Sequence, residues 1–153
     1  MVINNKSYLT AIVRKKPSLP MRYLHDHGLL YGDVLDYGCG RGFDCDYFNI
    51  RGYDPYFRAD YPYTKFDTIT CNYVLNVVEQ KDQEKIIQNI KSLLKQNGIA
   101  YFTVRRDNFK EGFNLKGTYQ TMVYLDPPFE LLKKTNTYAI YKLTKDGDNG
   151  KET

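Results

Sequence analysis

The sequence has no long apolar segment and only a few cysteines and histidines. No apolar run approaches the roughly 20 residues of a membrane-spanning helix. Residues 1–6 lack the apolar stretch and the small-residue cleavage site of a signal peptide. Three cysteines are an odd and sparse set, unlike the disulfide framework of a small secreted protein. These absences argue against membrane and secreted proteins and predict a reduced, cytoplasmic chain.

The same scarcity argues against a metal centre. Cys39 and Cys45 lie six residues apart, no Cys-x-x-Cys pair is present, and His25 and His27 are the only histidines. The end of a helix just before Gly28 explains the two histidines better than a metal site does. We therefore expect no bound metal.

Length and charge predict one compact domain with a mildly basic surface. A chain of 153 residues and 17.9 kDa suits a single domain, which we place at residues 1–144. Residues 145–153 have no apolar side chain and are predicted to form a disordered tail. The net charge of +4 is compatible with a polyanionic partner but does not require one. The sequence does not set the oligomeric state.

Apolar runs and glycine or proline boundaries predict strands alternating with helices. Residues 1–20 are expected to form an irregular arm, and the final strand pair is expected to be an antiparallel hairpin. The predicted helices are Pro20–His27, a short one within Phe43–Asn49, and Asp82–Gln96, which Asn97-Gly98 is expected to end; the predicted strands are 33–38, 50–54, 66–74, 99–104, 118–125 and 138–143.

This order predicts an α/β protein with a doubly wound, mostly parallel sheet, short helices and a C-terminal antiparallel hairpin. In such sheets, ligands bind outside the carboxyl ends of the strands, at the point where the strand order reverses. The residues just after the first three strands are therefore the candidates for a binding site.

The strongest motif, Val34-Leu35-Asp36-Tyr37-Gly38-Cys39-Gly40-Arg41-Gly42, follows the first strand. Glycines at alternate positions allow a sharp turn and close approach of the backbone to a ligand. A dinucleotide site has its third glycine one residue later, and the Asp36 carboxylate would repel a pyrophosphate. That carboxylate suits a cationic amino-acid ligand, or it orients the loop.

This pattern resembles motif I of the class I S-adenosylmethionine-dependent methyltransferases. The resemblance implies a Rossmann-like fold with S-adenosylmethionine as the cofactor. The residues that it assigns to cofactor binding at this loop are Asp36, Tyr37, Gly38, Cys39, Gly40 and Gly42.

Two further segments agree with the loop. Asp54-Pro55 ends the second strand, where an acidic side chain can accept hydrogen bonds from both hydroxyls of a ribose. The resemblance assigns that role to Asp54, with Pro55 beside it. Asn72-Tyr73-Val74-Leu75-Asn76 follows the third strand, and we expect Asn72 to contact the cofactor too. Asn72, Tyr73 and Asn76 are the candidate catalytic residues that position the acceptor, although packing of Tyr73 and Leu75 under a helix explains this segment equally well.

DNA amino-methyltransferases carry an Asn/Asp-Pro-Pro-Tyr/Phe motif at the position of Asn72, where this chain has no prolines. Asp126-Pro127-Pro128-Phe129 spells that motif, but it lies too far along the chain. A turn is the simpler interpretation of the two prolines.

A narrower resemblance extends over about residues 10 to 80. The segments that carry it are Thr10-Ala11-Ile12-Val13-Arg14, Pro17-Ser18-Leu19-Pro20-x-Arg22, residues 36–44, Gly52-Tyr53-Asp54-Pro55 and residues 73–77. Together they are similar to the DNA phosphorothioation-associated methyltransferases and to short phage-type methyltransferases. One departure is that only eleven residues separate Gly42 from Asp54, fewer than the usual helix needs.

Basic residues interleaved with tyrosines suggest DNA or RNA as a partner, although a solvated basic rim is an equal alternative. The candidate substrate-binding residues are Arg105, Arg106 and Tyr119, with Arg14, Lys15, Lys16 and Arg22 on the arm. The sequence thus predicts an S-adenosylmethionine-dependent methyltransferase, with a nucleic acid as one candidate acceptor. The alternative is a non-catalytic protein that binds S-adenosylmethionine for a structural or regulatory purpose.

Overall fold

The computed structural model describes residues 6–107 and 109–146. The strands are β1 Val34–Tyr37, β2 Arg51–Tyr53, β3 Phe66–Asn72, β4 Leu94–Arg105, β5 Gly112–Phe113, β6 Tyr119–Gln120, β7 Glu130–Lys134 and β8 Tyr138–Thr144. The helices are α1 Leu19–Asp26, α2 Phe43–Phe48 and α3 Gln80–Leu93, with 3-10 turns at Ser7–Thr10 and Leu75–Val77. None of these helices is long and apolar enough to cross a membrane.

Six strands form one sheet in the order β2-β1-β3-β4-β8-β7. The first four in this order run parallel, whereas β8 and β7 are antiparallel to their neighbours. The chain passes from β1 outward to β2 and then returns to the other side of β1 with β3. The strand order therefore reverses between β1 and β3, and the doubly wound sheet with a C-terminal antiparallel hairpin is confirmed.

The two faces of the sheet differ in chemistry because side chains alternate along each strand. One face buries the larger apolar cluster, in which β1 and β3 contribute Leu35 and Tyr37 together with Ile69 and Cys71, and α3 covers them. The other face carries Asp36 on β1 and a row of polar side chains on β3 and β4, with α1 packing beyond them. A polar strip thus leads along this face to the carboxyl ends of the strands.

The predicted end of the long helix is wrong. Helix α3 stops at Leu93, because Leu94 is extended, fully buried and paired with Phe66 as the first residue of β4. The Lys145 ammonium donates hydrogen bonds to the Lys91 and Leu94 carbonyls, which caps the end of the helix. Asn97, with a φ of 65°, lies in an irregular part of β4 instead of ending the helix.

The partner predicted for the last strand is also wrong. Residues 118–125 contain only β6, which pairs with β5, whereas β8 pairs with β7 and β4. A tight turn joins β7 to β8, and the Thr135 hydroxyl accepts hydrogen bonds from the backbone N–H groups of Thr137 and Tyr138. Neighbouring segments pair more readily than distant ones because closing a short loop costs less entropy.

The two ends of the chain bear on other expectations. The arm, expected to be irregular, contains a 3-10 turn at Ser7–Thr10, and residues 1–5 lie outside the described residues. The predicted disordered tail, residues 145–153, also lies outside them except for its first two. Of these two, the Lys145 N–H donates to the Gly98 carbonyl.

Candidate functional site

A pocket opens where the strand order reverses, at the carboxyl ends of β1, β2 and β3. We call it the loop pocket. Its walls are the glycine loop after β1, Asp54 and Pro55 after β2, the segment after β3, and the arm. The lining residues are Ser7, Tyr8, Thr10, Ala11, Ile12, Arg14, Asp36, Gly38, Cys39, Gly40, Arg41, Gly42, Phe43, Asp44, Asp54, Pro55, Tyr56, Asn72, Tyr73, Val74, Val77 and Val78.

The glycine loop has the backbone that its sequence predicts. Gly38, Gly40 and Gly42 have φ values of 81°, 58° and 87°, in the left-handed region that side chains disfavour. The Gly38 and Cys39 N–H groups both donate to the Tyr53 carbonyl, which ties the loop to the end of β2. The loop therefore lies close against the end of the next strand.

Asp36 lies at the floor of the loop pocket in a row of polar side chains. Its Oδ1 accepts hydrogen bonds from the Thr70 hydroxyl at 2.8 Å and from the Asn72 amide at 3.4 Å. The Asn72 Oδ1 in turn accepts a hydrogen bond from the Thr103 hydroxyl at 2.7 Å. Burial raises the pKa of Asp36 from 3.8 to about 7, and the charges of Asp44 and Asp54 add to this rise. The floor of the pocket is thus a carboxyl group whose pKa lies near neutral pH, and no cation lies beside it among the described residues.

Asp54 supports the glycine loop and also faces the pocket. Its Oδ2 accepts a hydrogen bond from the Gly40 N–H at 2.9 Å. Its Oδ1 accepts from the Tyr56 and Phe57 N–H groups at 2.9 and 3.0 Å. The carboxylate is therefore held rigidly, and its remaining lone pairs are available to hydroxyl donors.

A second pocket, of about 370 Å³, adjoins the loop pocket. The two share Thr10, Ile12, Arg14, Tyr73 and Val77. Tyr73 stands at this junction with a φ of 61°, and its N–H donates to the Thr103 carbonyl. Burial raises the pKa of Tyr73 to about 12, so its hydroxyl keeps its proton at neutral pH. Leu19, Asn76, Arg105, Asp107, Gln120 and Thr137 complete the walls.

The structure separates the three candidate catalytic residues. Asn72 and Tyr73 line the loop pocket, whereas Asn76 reaches only the second one. Asn76 is buried, its amide donates to the Thr121 carbonyl, and its Oδ1 accepts from the Arg105 N–H. Its contacts hold the wall of the second pocket together.

Four other candidates lie apart from the loop pocket. The Tyr37 side chain is buried on the opposite face of the sheet, where its hydroxyl accepts a hydrogen bond from Asn89. Arg105 lines the second pocket and pairs with Asp107, the shorter contact being 2.6 Å. Arg106 donates to the Thr135 carbonyl, and the Tyr119 ring packs against Phe113 at 4.9 Å.

Asp126-Pro127-Pro128-Phe129 forms a turn, in which the Phe129 N–H donates to the Asp126 carbonyl at 3.1 Å. Phe129 then packs on Phe102 in the core. None of the four lines either pocket.

The arm forms a wall of both pockets. Two contacts hold it in place. The Tyr8 ring stacks on Tyr56 with 4.0 Å between centroids, and Ser18 donates to Asp44 through its N–H at 2.9 Å and its hydroxyl at 2.7 Å. Because Ser18 and Asp44 lie 26 residues apart, no local pattern reveals this pairing; the two motif segments that contain them were the available signal.

Comparisons with known proteins define the class. A profile of the family described as "Methyltransferase domain" matches residues 11–143, and the chain belongs to this family. An uncharacterized protein of Rickettsia prowazekii, RP028, is 36% identical over 64 residues, which make up 42% of this chain and 24% of that protein. The chain therefore spans about a quarter of the length of the curated relative that it matches.

Solved structures with this fold include a methyltransferase with its ligands. The 1,6-didemethyltoxoflavin-N1-methyltransferase of Burkholderia thailandensis, with bound 1,6-didemethyltoxoflavin and S-adenosylhomocysteine, has a TM-score of 0.61 at 17% identity; 82% of this chain and 76% of that chain are covered. A second structure, described as showing the conversion of a disulfide bond into a thioacetal group during echinomycin biosynthesis, has a TM-score of 0.59 at 12% identity. The match covers 88% of this chain and 83% of that chain. Family and fold together confirm the class predicted from the glycine loop, a class I methyltransferase.

Proposed function

We propose that this chain binds S-adenosylmethionine in the loop pocket and transfers its methyl group to an acceptor in the second pocket. One observation carries the proposal. Three glycines with a left-handed backbone, the Asp54 carboxylate and the Asp36 carboxyl group line one pocket, at the point where the strand order of the sheet reverses. The S-adenosylhomocysteine in the toxoflavin enzyme of the same fold supports the choice of cofactor. Membership in the methyltransferase domain family supports the reaction.

Methyl transfer from a sulfonium is an in-line displacement in which the acceptor forms a bond to carbon as the carbon–sulfur bond breaks. The donor is already activated, so the protein mainly contributes proximity and alignment. We assign alignment to Asn72 and Tyr73, because Asn72 is fixed by the Thr103 hydroxyl and Tyr73 lies between the two pockets. Asn76 acts through Arg105 and Thr121, as a positioning residue.

Asp54→Ala is expected to weaken binding of S-adenosylmethionine strongly. The substitution removes two charge-assisted hydrogen bonds to the ribose, each contributing roughly 1.5–3 kcal/mol. It also frees the Gly40 N–H that Asp54 holds. Isothermal titration calorimetry measures the loss, and circular dichroism verifies that the fold persists. Asp60→Ala, at an exposed acidic residue outside both pockets, is the matched control. Unchanged affinity of the Asp54 variant contradicts the assignment.

Catalysis and binding without catalysis are separated by a direct transfer assay. Purified protein is incubated with S-adenosylmethionine carrying a radiolabelled methyl group, together with DNA, RNA and protein pools. Label in one pool supports the enzyme. Binding of S-adenosylmethionine with no label in any pool favours the non-catalytic alternative.

We also propose that the acceptor is a nucleic acid. Lys15, Lys16 and Arg22 are exposed on the arm and on α1, and the second pocket is of a size to admit a single base. The resemblance of residues 10 to 80 to the DNA phosphorothioation-associated and phage-type methyltransferases supports this choice. A cytoplasmic location remains a prediction from the sparse cysteines.

Affinity for an oligonucleotide is expected to fall steeply with salt, with a log–log slope of about −0.7 to −0.9 per phosphate contact. Replacing Lys15, Lys16 and Arg22 together by Ala should flatten this slope by up to three contacts. Replacing Arg105 and Arg106 should change it less, because both side chains are already engaged with protein groups. Fluorescence anisotropy over a salt series measures both variants. Binding no tighter than millimolar at low salt contradicts a nucleic-acid acceptor.

A further inference from the structure

Two of the three cysteines meet beside the glycine loop. Cys39 lies in that loop, and Cys45 lies six residues further on in helix α2. A Cβ added at Gly52 on β2 would lie 2.6 Å from the Cys45 Sγ and 2.9 Å from the Cys39 Sγ. Both sulfur atoms therefore lie side by side, in the space that a side chain at Gly52 would fill. The third cysteine, Cys71, is buried in the apolar cluster on the face of the sheet that α3 covers.

The two neighbouring thiols differ in access and in protonation. Cys39 is half-buried and lines the loop pocket. Cys45 is only 1% exposed, and its thiol makes long contacts of 3.9 Å with the Asp36 Oδ2 and the Arg51 carbonyl. A hydrogen bond with Cys39, together with burial, raises the pKa of the Cys45 thiol, so this thiol keeps its proton until it reacts. Cys39 is therefore the thiol that an oxidant in the pocket meets first.

We propose that Cys39 and Cys45 form a reversible disulfide when a peroxide oxidises them, and that this bond weakens cofactor binding at the glycine loop. The disulfide itself depends only on the position of the two sulfur atoms. Its effect on binding rests on the proposed function, because it concerns the same cofactor.

The oxidation consumes one hydrogen peroxide for each pair of thiols. The Cys39 sulfur, having lost its proton to water, attacks one peroxide oxygen; the O–O bond breaks, and the hydroxide that leaves takes up a proton to become water. This step leaves a sulfenic acid at Cys39. The Cys45 sulfur then attacks the Cys39 sulfur, and the S–O bond breaks with release of a second hydroxide. Two thiols thus lose two electrons and two protons, and one peroxide becomes two waters.

Asp36 is placed to carry the proton in the second step. The Cys45 thiol donates to its Oδ2, and this carboxyl group, with a pKa of about 7, can accept and release a proton near neutral pH. The proton passes from Cys45 to Asp36 as the sulfur attacks, and then to the hydroxide that leaves Cys39, which becomes water.

The disulfide acts on the loop because Cys39 lies between two of its glycines. A covalent bond draws the sulfur atoms closer together than a hydrogen bond between thiols does. Gly38 and Gly40, with φ values of 81° and 58°, allow the backbone to follow this movement. The Cys39 N–H donates to the Tyr53 carbonyl, and the Gly40 N–H donates to Asp54. A shift of Cys39 toward α2 therefore displaces the backbone that the reduced loop presents to the cofactor.

Peptide mapping tests the bond. The reduced chain is treated with hydrogen peroxide, the remaining thiols are alkylated, and mass spectrometry identifies linked peptides. We expect a Cys39–Cys45 link that dithiothreitol removes. Cys71→Ala, which keeps both members of the pair, should form the link equally. Cys45→Ser should form no link and should leave the sulfenic acid of Cys39, which dimedone traps. Absence of the link from the original chain overturns the inference.

Calorimetry with S-adenosylhomocysteine measures the effect on binding. After the peroxide has been removed, the oxidised chain is expected to bind this ligand roughly 5- to 150-fold more weakly than the reduced chain, the usual range of coupling between two sites. Circular dichroism verifies that the oxidised chain stays folded, and dithiothreitol should restore the affinity. Equal affinities of the two forms, with the link present, overturn the inference while the proposed function stands. If the reduced chain does not bind S-adenosylhomocysteine at all, the proposed function and the effect on binding fail together, and peptide mapping alone decides whether the disulfide forms.

Discussion

Replacing Asp36 by Asn is expected to stabilise the ligand-free protein by about 4 kcal/mol at pH 8, as a buried charge is removed. Asn keeps the size of the side chain, its carbonyl oxygen can still accept the hydrogen bonds from Thr70 and Asn72, and only the long contact of 3.9 Å from the Cys45 thiol to Oδ2 is lost. The variant should therefore retain the local packing.

The sign of this effect follows from the pKa of Asp36, which burial raises from 3.8 to about 7. Between these two values the folded protein keeps the proton while the unfolded chain loses it. The unfolded chain thus binds fewer protons in this window, and the stability of the original protein falls as the pH rises from about 4 to 7. A shift of roughly three pH units corresponds to about 4 kcal/mol.

Urea unfolding of both proteins at pH 4.5 and pH 8 measures the difference. The free energy of unfolding of the variant should exceed that of the original protein most at pH 8, and the difference should shrink to about 1 kcal/mol at pH 4.5. Comparing the two proteins at the same pH cancels the contributions to stability that they share. A difference that does not change between the two pH values contradicts an elevated pKa.

The same substitution is expected to weaken cofactor binding. The ammonium group of the methionine moiety attracts only the ionised form of Asp36, so binding by the original protein should strengthen as the pH rises from 5.5 to 8. The Asp36→Asn variant has no charge at this position, and its binding curve should be nearly flat over that range. The same substitution is thus expected to raise the stability of the ligand-free protein and to lower its affinity for the cofactor, as is common where a functional site costs stability.

The sequence allowed most of the sheet to be predicted, because β1 and β3 are apolar or β-branched runs and Asp54-Pro55 ends the short strand β2. Helix α1 was predicted to start at Pro20 and to end before Gly28; in the structure it begins at Leu19, and Ser18 caps its start. Strand β7 was missed because its residues, Glu-Leu-Leu-Lys-Lys, are mostly polar and lie at the edge of the sheet.

The site was predictable where its residues are consecutive and not where they come from distant segments. The glycine loop was predicted from its spacing, and the resemblance to the class I methyltransferases assigned the role of Asp54 at the end of the second strand. Tyr37 was assigned to the cofactor although alternation along β1 places it opposite Asp36, on the face that α3 covers. Arg14 was predicted as part of a basic arm, and the contact of Ser18 with Asp44, which fixes this arm in the wall of the pocket, joins segments that are far apart in the chain.

Gly40→Val is expected to weaken cofactor binding about 100-fold while the protein stays folded. A Cβ at this position would lie 3.5 Å from the Ala11 Cβ, an ordinary contact, so the loop can accept it with respect to packing. Gly38 and Gly42 are poorer sites for this test, because a Cβ there would collide with the Val74 side chain and the Arg58 guanidinium. The branched side chain that Gly40→Val introduces would instead fill the space between the loop and the arm, where the cofactor is proposed to lie.

Gly28→Val separates the lost space from the backbone strain. Gly28 has a φ of 69°, close to the 58° of Gly40, and a Cβ there would meet nothing within 4 Å. Both variants should lose about 1–2 kcal/mol of stability from the left-handed backbone. Only Gly40→Val should lose cofactor affinity, by about 100-fold, as for an overpacked site that costs near 3 kcal/mol. Calorimetry measures the affinity of both variants for the cofactor, and their equal loss of stability makes the comparison fair. Equal affinities would mean that the cofactor does not approach Gly40.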